Sequence, residues 1–393
     1  MEEWKEYRVA EVIEDISMGP FGSNIKRDNY VDSGVPYLNG SNLSSYKLNE
    51  NSFYYVTEEK AKSLGRCVAK RGDIIVTHRG TIGQMSYIPF DSKYEHYLTG
   101  NSQFRLTVNK KVIRPDFFVY YFHTRMGQHR LLANASQVGV PALARPTSTF
   151  KEVLVPVPKM EVQNQIMDIL HSLDDKIEVN RRINENLEQQ AQALFKSWFV
   201  DFEPFKDQPF VESELGMIPQ GWKVDLLGNL VDIKYGKDHK KLMDGNIPVY
   251  GSGGLMRKAE KALYSGESVL IPRKGTLNNV MYVNEAFWTV DTMFYSIPKV
   301  DNIMLFTFIY LSNRDLASLN TGSAVPSMTT EILNNMKVAL PNHAILEDFN
   351  KKTKALFKLI KHNEDESRHL AELRDTLLPK LMSGELKVND VDA

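Results

Sequence analysis

The sequence has a single cysteine, Cys67, among its 393 residues. One cysteine excludes an internal disulfide framework and a cysteine-rich metal site, and it favours a reducing compartment. Long apolar runs are also missing, because the run Ile303–Leu311 is far short of the roughly 20 residues that a membrane span needs. The first residues are charged, which is not typical of a signal peptide. We therefore expect a cytoplasmic protein without a membrane partner.

Motifs that carry catalysis are absent as well. The sequence has no G-x-x-x-x-G-K-[ST] phosphate loop, no G-x-G-x-x-G turn between a strand and a helix, and no G-x-S-x-G elbow. It also lacks the Asn/Asp-Pro-Pro-Tyr/Phe tetrapeptide of amino-methyltransferases. Its 9 histidines are scattered without metal-ligand spacing to Cys, Asp or Glu. We therefore expect no catalytic residue, no metal and no cofactor on this chain.

The net charge of −1 lacks the basic excess that is typical of a freestanding DNA-binding protein. Charge is weakly segregated along the chain. Residues 219–299 contain 11 Lys/Arg against 8 Asp/Glu, whereas residues 201–214 contain 5 acids and 1 lysine. A chain of this length is expected to hold two or three domains, each with its own core.

The most regular pattern is a heptad repeat over residues 161–199, a stretch with no Gly or Pro. Its alternating steps of four and three are typical of a coiled coil, and they recur near the C-terminus. A shift of 183 residues places Ile177 on Ile360 and Asn180 on Asn363. Two such helices in one chain most simply pack on each other, although either alone also fits an ordinary bundle helix. The predicted coiled-coil interface consists of Ile166, Leu173, Ile177, Asn180, Leu187, Leu194, Leu356, Ile360, Asn363, Leu370 and Leu377.

The segments that precede the two helices repeat as well. Trp222 corresponds to Trp4, and Lys274-Gly-Thr-Leu277 corresponds to Arg79-Gly-Thr-Ile82. Short β-like runs alternate with turns and with aromatic stretches of helical spacing, which predict core helices rather than base-stacking platforms. This mixture predicts an α+β fold with a mostly antiparallel or mixed sheet. The two segments have low sequence identity but the same order of elements. This suggests two copies of one scaffold, each with its own binding surface.

Loops after the apolar strands combine glycine with basic and small polar residues. These are the residue types that contact phosphates and read base edges, with Arg or Lys suited to guanine or phosphate and Asn or Gln to adenine. Solvated loops in general have a similar composition, so this pattern alone does not establish DNA binding. The candidate DNA-contacting residues are Ser41, Asn42, Arg79, Thr81 and Gln84 in the first copy, and Lys237, Arg273, Lys274, Thr276 and Asn278 in the second.

Several motifs in and around the helices form a recognisable set: Gln137-Val-Gly-Val-Pro141, Val162-Gln-Asn-Gln-Ile166, Asn180-Arg-Arg-Ile-Asn-Glu-Asn-Leu-Glu188, Ala193-Leu-Phe-Lys-Ser-Trp-Phe199 and Leu373-Arg-Asp-Thr-Leu-Leu-Pro-Lys-Leu-Met-Ser-Gly-Glu385. This set resembles the conserved regions of the specificity (S) subunits of type I restriction–modification systems. The resemblance covers essentially the whole chain. One departure is that the second copy lacks the Gln-x-Gln seen at Gln163 and Gln165.

The resemblance implies two target-recognition domains, each reading half of a split, asymmetric site in double-stranded DNA. The helices would form an intramolecular antiparallel coiled coil that sets the gap between the half-sites. Two modification subunits would dock there and bring S-adenosylmethionine, and restriction subunits would bring ATP, Mg and cleavage. Such partners would also supply much of the phosphate neutralisation that this chain lacks.

The remaining alternative is a structural coiled-coil adaptor with two protein-binding heads. In either case we expect no enzymatic activity from this chain alone. The predicted boundaries are 1–159 and 221–342 for the recognition domains, 160–200 and 343–385 for the helices, 201–220 for a linker and 386–393 for a tail.

Overall fold

The computed structural model describes residues 4–136, 139–319 and 327–390. The chain divides into two compact units, Met1–Glu178 with Ser367–Ala393, and Val179–Glu366. Two residues of the predicted motifs, Gln137 and Val138, lie outside the described residues. No helix within the described ranges is long and apolar enough to cross a membrane.

The first unit is built mainly from short strands, with one long helix after them. Its strands are β1 (Lys5–Arg8), β2 (Ile13–Met18), β3 (Tyr30–Val31), β4 (Val35–Tyr37), β5 (Tyr54–Val56), β6 (Val68–Lys70), β7 (Ile74–Thr77), β8 (Met85–Tyr87), β9 (His96–Leu98), β10 (Gln103–Val108), β11 (Ala135–Ser136), β12 (Ala142–Leu143) and β13 (Leu154–Val157). Its helices are α1 (Val9–Val12), α2 (Glu58–Ser63), α3 (Pro115–His123), α4 (Arg125–Leu132) and α5 (Pro146–Lys151), and α6 (Met160–Phe199) follows. The main sheets have the orders β2-β10-β7-β8 and β3-β5-β4-β9-β6, and β1 pairs with β13.

The second unit repeats this plan. Its strands are β14 (Phe210–Ser213), β15 (Gly216–Pro219), β16 (Lys223–Leu226), β17 (Val231–Tyr235), β18 (Ile247–Gly251), β19 (Gly254–Ala259), β20 (Tyr264–Pro272), β21 (Met281–Thr289), β22 (Met293–Pro298) and β23 (Lys337–Leu340). Its helices are α7 (Leu227–Leu230), α8 (Met304–Ser312) and α9 (Thr330–Asn334), and α10 (His343–Ser383) follows. The main sheet has the order β17-β22-β20-β21-β18-β19, and β16 pairs with β23.

The duplication extends to the register of the strands. The order β2-β10-β7-β8 in one unit corresponds to β17-β22-β20-β21 in the other. Ile74 pairs with Tyr87 in the first unit, and Val269 pairs with Tyr282 in the second. Because equivalent strands pair at equivalent residues, the loops at their ends also occupy equivalent places in the two units. The predicted fold class, a duplicated α+β scaffold with two long helices, is confirmed.

The aromatic stretches form core helices, as predicted. Every residue of α3 from Phe117 to Phe122 is buried, and α8 is similarly buried from Met304 to Thr307. Each helix packs into the main hydrophobic cluster of its own unit. Burying a side chain of this size stabilises the fold by about 1.5–3 kcal/mol. These rings therefore stabilise the scaffold and are not free to stack on bases.

Helices α6 and α10 run antiparallel within the second unit. The side-chain amide of Asn180 donates to Glu366 Oε2 at 2.7 Å, and that of Asn184 donates to the carbonyl of Ile360 at 3.2 Å. Residue numbers thus fall along α10 as they rise along α6. Asn363 donates in turn to Asn184 Oδ1 at 2.8 Å. Polar side chains that bond each other across a helix interface specify its register.

The predicted interface residues are all at least partly shielded from solvent. The buried ones are Ile166, Asn180, Leu187 and Ile360, and the half-buried ones are Leu173, Ile177, Leu194, Leu356, Asn363, Leu370 and Leu377.

In the first unit a polar cluster joins the two helices to the globular part. Arg374 of α10 donates to Asp174 Oδ1 of α6 at 2.6 Å and lies 5.2 Å above the ring of Tyr46. The Tyr120 hydroxyl donates to the other oxygen of Asp174, and its ring stacks on Tyr46 at 3.9 Å. Burial and the nearby carboxylate of Asp174 both raise the pKa of Tyr120, so its hydroxyl stays protonated. Four side chains from three parts of the unit therefore depend on one another.

The segment 201–220 differs from the extended linker that was predicted. Its residues form a short helical turn, Glu203–Phe205, and a hairpin of β14 and β15. Phe205 and Ile218 are buried in the core of the second unit. Apolar side chains with a core to enter outweigh the prolines and acids that suggested an extended chain.

Replacing Arg374 by Ala should destabilise the protein by about 3 kcal/mol, because the charge of Asp174 is left largely shielded without its partner. The free energy of unfolding from urea titration measures the effect. Lys352→Ala is the control, because Lys352 forms an exposed pair with Asp348 and its loss should cost less than about 0.5 kcal/mol. Equal losses for the two variants would contradict the role given to the cluster.

Candidate nucleic-acid interface

Two of the predicted loops of the first unit meet beside the end of β7. The turn after β7 contains Thr81 and Gln84, and a second turn follows β4. A side chain placed on Gly40, in that second turn, would lie 3.5 Å from both Thr81 Oγ1 and Gln84 Oε1. The neighbouring residue Ser41 is exposed. The structure thus brings Ser41, Thr81 and Gln84 together on one edge of the unit.

The backbone around Arg79 is held on both sides. Gly80 N donates to the carbonyl of Pro141 at 2.9 Å, and Leu143 N donates to the carbonyl of His78 at 2.9 Å. The side chain of Arg79 itself is exposed. Burial lowers the pKa of His78, and the charge of Arg79 lowers it further, so the imidazole is neutral at pH 7. Arg79 is therefore an exposed positive charge on a fixed backbone, which suits a phosphate or a guanine edge.

Three of the remaining candidates in this unit differ in how free their polar atoms are. The Thr81 hydroxyl donates to Gln84 Oε1 at 2.5 Å, which leaves the Gln84 amide N–H groups without a protein partner among the described residues. The Ser41 hydroxyl donates to Asn39 Oδ1 at 2.5 Å. Gln84 thus offers donors in a fixed orientation, whereas Ser41 and Thr81 offer their remaining lone pairs.

Asn42 is a correction to the predicted interface. Only 2% of its surface is exposed. Its amide group donates to the carbonyls of Asn49 and Ser52, both at 3.0 Å, and its oxygen accepts from Asn39 N at 3.0 Å. Both amide hydrogens are used inside the protein, so Asn42 holds the loop in shape and does not face DNA.

In the second unit the turn after β20 resembles the turn after β7 at its glycine. Gly80 and Gly275 both have a φ of 85°, a conformation that glycine adopts readily. Lys274 occupies the place of Arg79, and it is also exposed. Each of these two residues forms an isolated antiparallel bridge, Arg79 with Ala142 and Lys274 with Ser327. The two units therefore present a cation at the same point of the scaffold.

Arg273 is oriented by its neighbours. Its guanidinium lies 5.2 Å from the ring centroid of Tyr235, which is half exposed, and it donates to the carbonyl of Asp291 at 3.3 Å. Arg273 N and Lys237 N donate to Thr292 O and Thr289 O, both at 2.9 Å. The predicted cations Lys237, Arg273 and Lys274 thus border a single turn between β21 and β22.

Asn278 is exposed and stays a candidate, and its side chain also contacts a neighbouring segment. Its amide donates to Asp315 Oδ1 at 3.1 Å, and its oxygen accepts from Ala317 N at 2.9 Å. Both ends of the side chain therefore hold the segment after α8. Thr276 is exposed, and its hydroxyl has no hydrogen-bond partner among the described residues, so Thr276 stays a candidate as well.

The structure also adds residues that the sequence patterns did not single out. Asn101 lies in the turn before β10, and Ser102 of that turn accepts from His78 N at 2.9 Å. In the second unit the amide of Asn279 donates to the carbonyl of Ser252 at 2.8 Å, which brings the turn after β18 to the turn after β20. The sequence signal that could have identified these turns is a glycine beside a small polar residue. The contacts between turns depend on strand pairing, which the sequence alone does not reveal.

No cluster of three or more potential metal ligands exists among the described residues. Two copies of one loop cluster, each at equivalent strand ends of a duplicated scaffold, define a protein with two recognition surfaces. A family model described as the type I restriction modification DNA specificity domain matches residues 1–189 and 219–374. The chain belongs to this family, and the resemblance seen in its sequence motifs is confirmed.

Similar proteins agree with this assignment over nearly the full length. The chain is 28% identical to the type I restriction enzyme MjaIX specificity subunit of Methanocaldococcus jannaschii, covering 96% of this chain and 93% of that protein. It is 25% identical to the HindI specificity subunit of Haemophilus influenzae, covering 98% of this chain and 100% of that protein. The crystal structure of the type I restriction–modification S subunit from M. genitalium has a TM-score of 0.58 at 18% identity, covering 96% of each chain. At that identity the likeness is one of fold.

The two loop residues Arg79 and Asn42 should respond differently to replacement by alanine. Arg79→Ala should leave the free energy of unfolding unchanged, weaken DNA binding by the assembled complex, and reduce its salt slope by about one. Asn42→Ala should instead destabilise the protein by about 1–3 kcal/mol, because two carbonyls lose their donors.

Urea unfolding and filter binding at several salt concentrations measure these two effects. Lys274→Ala serves as the matching variant in the second unit. A DNA footprint that stayed the same in both Arg79→Ala and Lys274→Ala would remove these residues from the interface.

Proposed function

We propose that this chain is the non-catalytic DNA-recognition subunit of a type I restriction–modification complex. Each globular unit reads one half of a bipartite, asymmetric site in double-stranded DNA. The observation that carries this proposal is the repeated loop cluster: Gly80 and Gly275 share one φ value, while the exposed residue before them is Arg79 in one unit and Lys274 in the other. Two loops with the same φ at their glycine and different exposed side chains suit two different half-sites.

Methylation and cleavage belong to partner subunits in this proposal. Those subunits carry S-adenosylmethionine, ATP and Mg, while this chain supplies sequence selectivity. The absence of phosphate-loop and methyltransferase motifs from the sequence supports this division. The names of the M. jannaschii and H. influenzae relatives as specificity subunits support it as well.

Helices α6 and α10 are the proposed docking surface for two modification subunits. Val179 and Ile183 lie on α6 with 48% and 42% of their surfaces exposed, and Leu359 on α10 is 52% exposed. Apolar side chains exposed along one helix pair are typical of a surface that a partner covers. The same exposure favours the alternative of a coiled-coil adaptor with protein-binding heads. DNA binding separates the two functions.

DNA binding by the chain assembled with its modification subunits should depend on sequence and on salt. If six or more phosphates are contacted, the affinity should fall by roughly a thousandfold between about 50 and 200 mM salt. Electrophoretic mobility shifts with the methylated motif of the host, and with a scrambled motif of equal length, provide the measurement. The purified chain alone serves as a control and should neither methylate nor cleave. Binding that ignores both salt and sequence would favour the adaptor.

The length of the helix pair should set the gap between the half-sites. An insertion of seven residues into α6 after Glu178, with seven more into α10 before Ser367, lengthens each helix by about 10.5 Å. This length corresponds to about three base pairs. Mapping of methylated bases should therefore show unchanged half-sites with a longer gap.

The control for this experiment places seven residues in the hairpin turn at Leu215, which is exposed and lies outside both helices. That variant should keep the original gap. A change in half-site sequence after the helix insertion would show that the helices do not act as a spacer.

A further inference from the structure

Phe21 is the most exposed of the large hydrophobic side chains in the described residues, with 82% of its surface accessible. It lies in the turn after β2, and that turn is firmly held. Gly19 N donates to the carbonyl of Gln103 at 2.9 Å, and a Cβ on Gly19 would lie 2.0 Å from the carbonyl oxygen of Gly100. Asn24 N closes the turn on the carbonyl of Phe21 at 2.8 Å. The ring is thus presented to solvent from a fixed backbone.

The exposure of Phe21 alone does not indicate a binding role, because single exposed hydrophobic residues are common. The position of its turn is the stronger argument. A Cβ on Gly22 would lie 3.6 Å from Asn101 Nδ2, and Ser102 accepts from His78 N at 2.9 Å. Phe21 therefore lies on the same edge of the unit as Arg79. Five turns form that edge: residues 18–24, 39–42, 78–84, 100–102 and 139–145. They contain two arginines and no Asp or Glu.

The second unit also has an aromatic ring beside the corresponding glycine, although this ring precedes the glycine whereas Phe21 follows it. Gly236 follows β17 as Gly19 follows β2, and a Cβ there would lie 2.0 Å from the carbonyl oxygen of Val290. Tyr235, directly before this glycine, is 51% exposed and lies beneath Arg273. Both recognition edges thus combine a ring with a cation beside a closely packed glycine.

We propose that Phe21 contacts the bases of the first half-site, with its ring inserted as a wedge at one base step. An apolar wedge next to cations suits DNA, because the arginines neutralise phosphates while the ring displaces stacked bases. An acid-free edge favours this polyanion over a protein partner. The inference rests on the proposed function and adds a specificity-determining residue to it.

The test uses the full chain assembled with its modification subunits. Phe21→Ala should weaken binding to the methylated motif by about tenfold or more, the usual effect of removing an aromatic contact to a base. The salt slope should stay unchanged, because no charge is lost. 2-Aminopurine placed at each step of the first half-site should brighten at one step with the parent protein and not with Phe21→Ala. Phe21→Trp should keep both the affinity and the 2-aminopurine signal of the parent protein.

Phe90→Ala is the matched control. Phe90 is 57% exposed in the same unit, but its ring lies beside Gly72, at the opposite end of β7 from the turn that contains Arg79. This variant should bind like the parent protein. Unchanged affinity and unchanged 2-aminopurine signals in Phe21→Ala would overturn the wedge. A parent complex without sequence-dependent binding would instead overturn the proposed function itself.

Discussion

The structure depends on the antiparallel pairing of α6 and α10, because the core of each unit needs side chains from both helices. In the first unit, Leu381 of α10 is fully buried in the same cluster as Ile166 of α6. In the second unit, Phe199 of α6 lies 4.8 Å from Phe349 of α10. The core of neither globular part is complete without side chains from α10, the last long helix of the chain. The helices therefore complete the cores as well as connecting the units.

This constraint explains how the two copies can share a frame and still differ in their surfaces. The order of four core strands, their register and the φ of Gly80 and Gly275 are the same in both units. Those features are set by buried side chains and by backbone hydrogen bonds, which tolerate little change. The exposed positions next to them are not constrained by packing or by backbone hydrogen bonds. Arg79 and Lys274 can therefore differ between the two units while the scaffold stays constant.

The helices were predictable because a heptad repeat is a local signal, readable in one stretch of chain. The order of elements in the two copies was predictable for the same reason. The environments of Asn42 and Asn278 were not. Each is fixed by partners that fold back from other segments, such as Ser52 and Asp315. Composition alone cannot separate an asparagine that faces DNA from one that binds a neighbouring loop.

The two copies also diverge where the globular part meets the helices. In the first unit this junction includes a polar cluster, with Arg374 bound to Asp174 and covered by Tyr46. A shift of 183 residues along the chain carries Asp174 to Phe357, whose ring lies 5.5 Å from that of Tyr282. An ion pair needs directed partners, whereas an aromatic contact tolerates a range of angles. An ion pair in the first unit and an aromatic contact in the second unit thus occupy equivalent positions along α6 and α10.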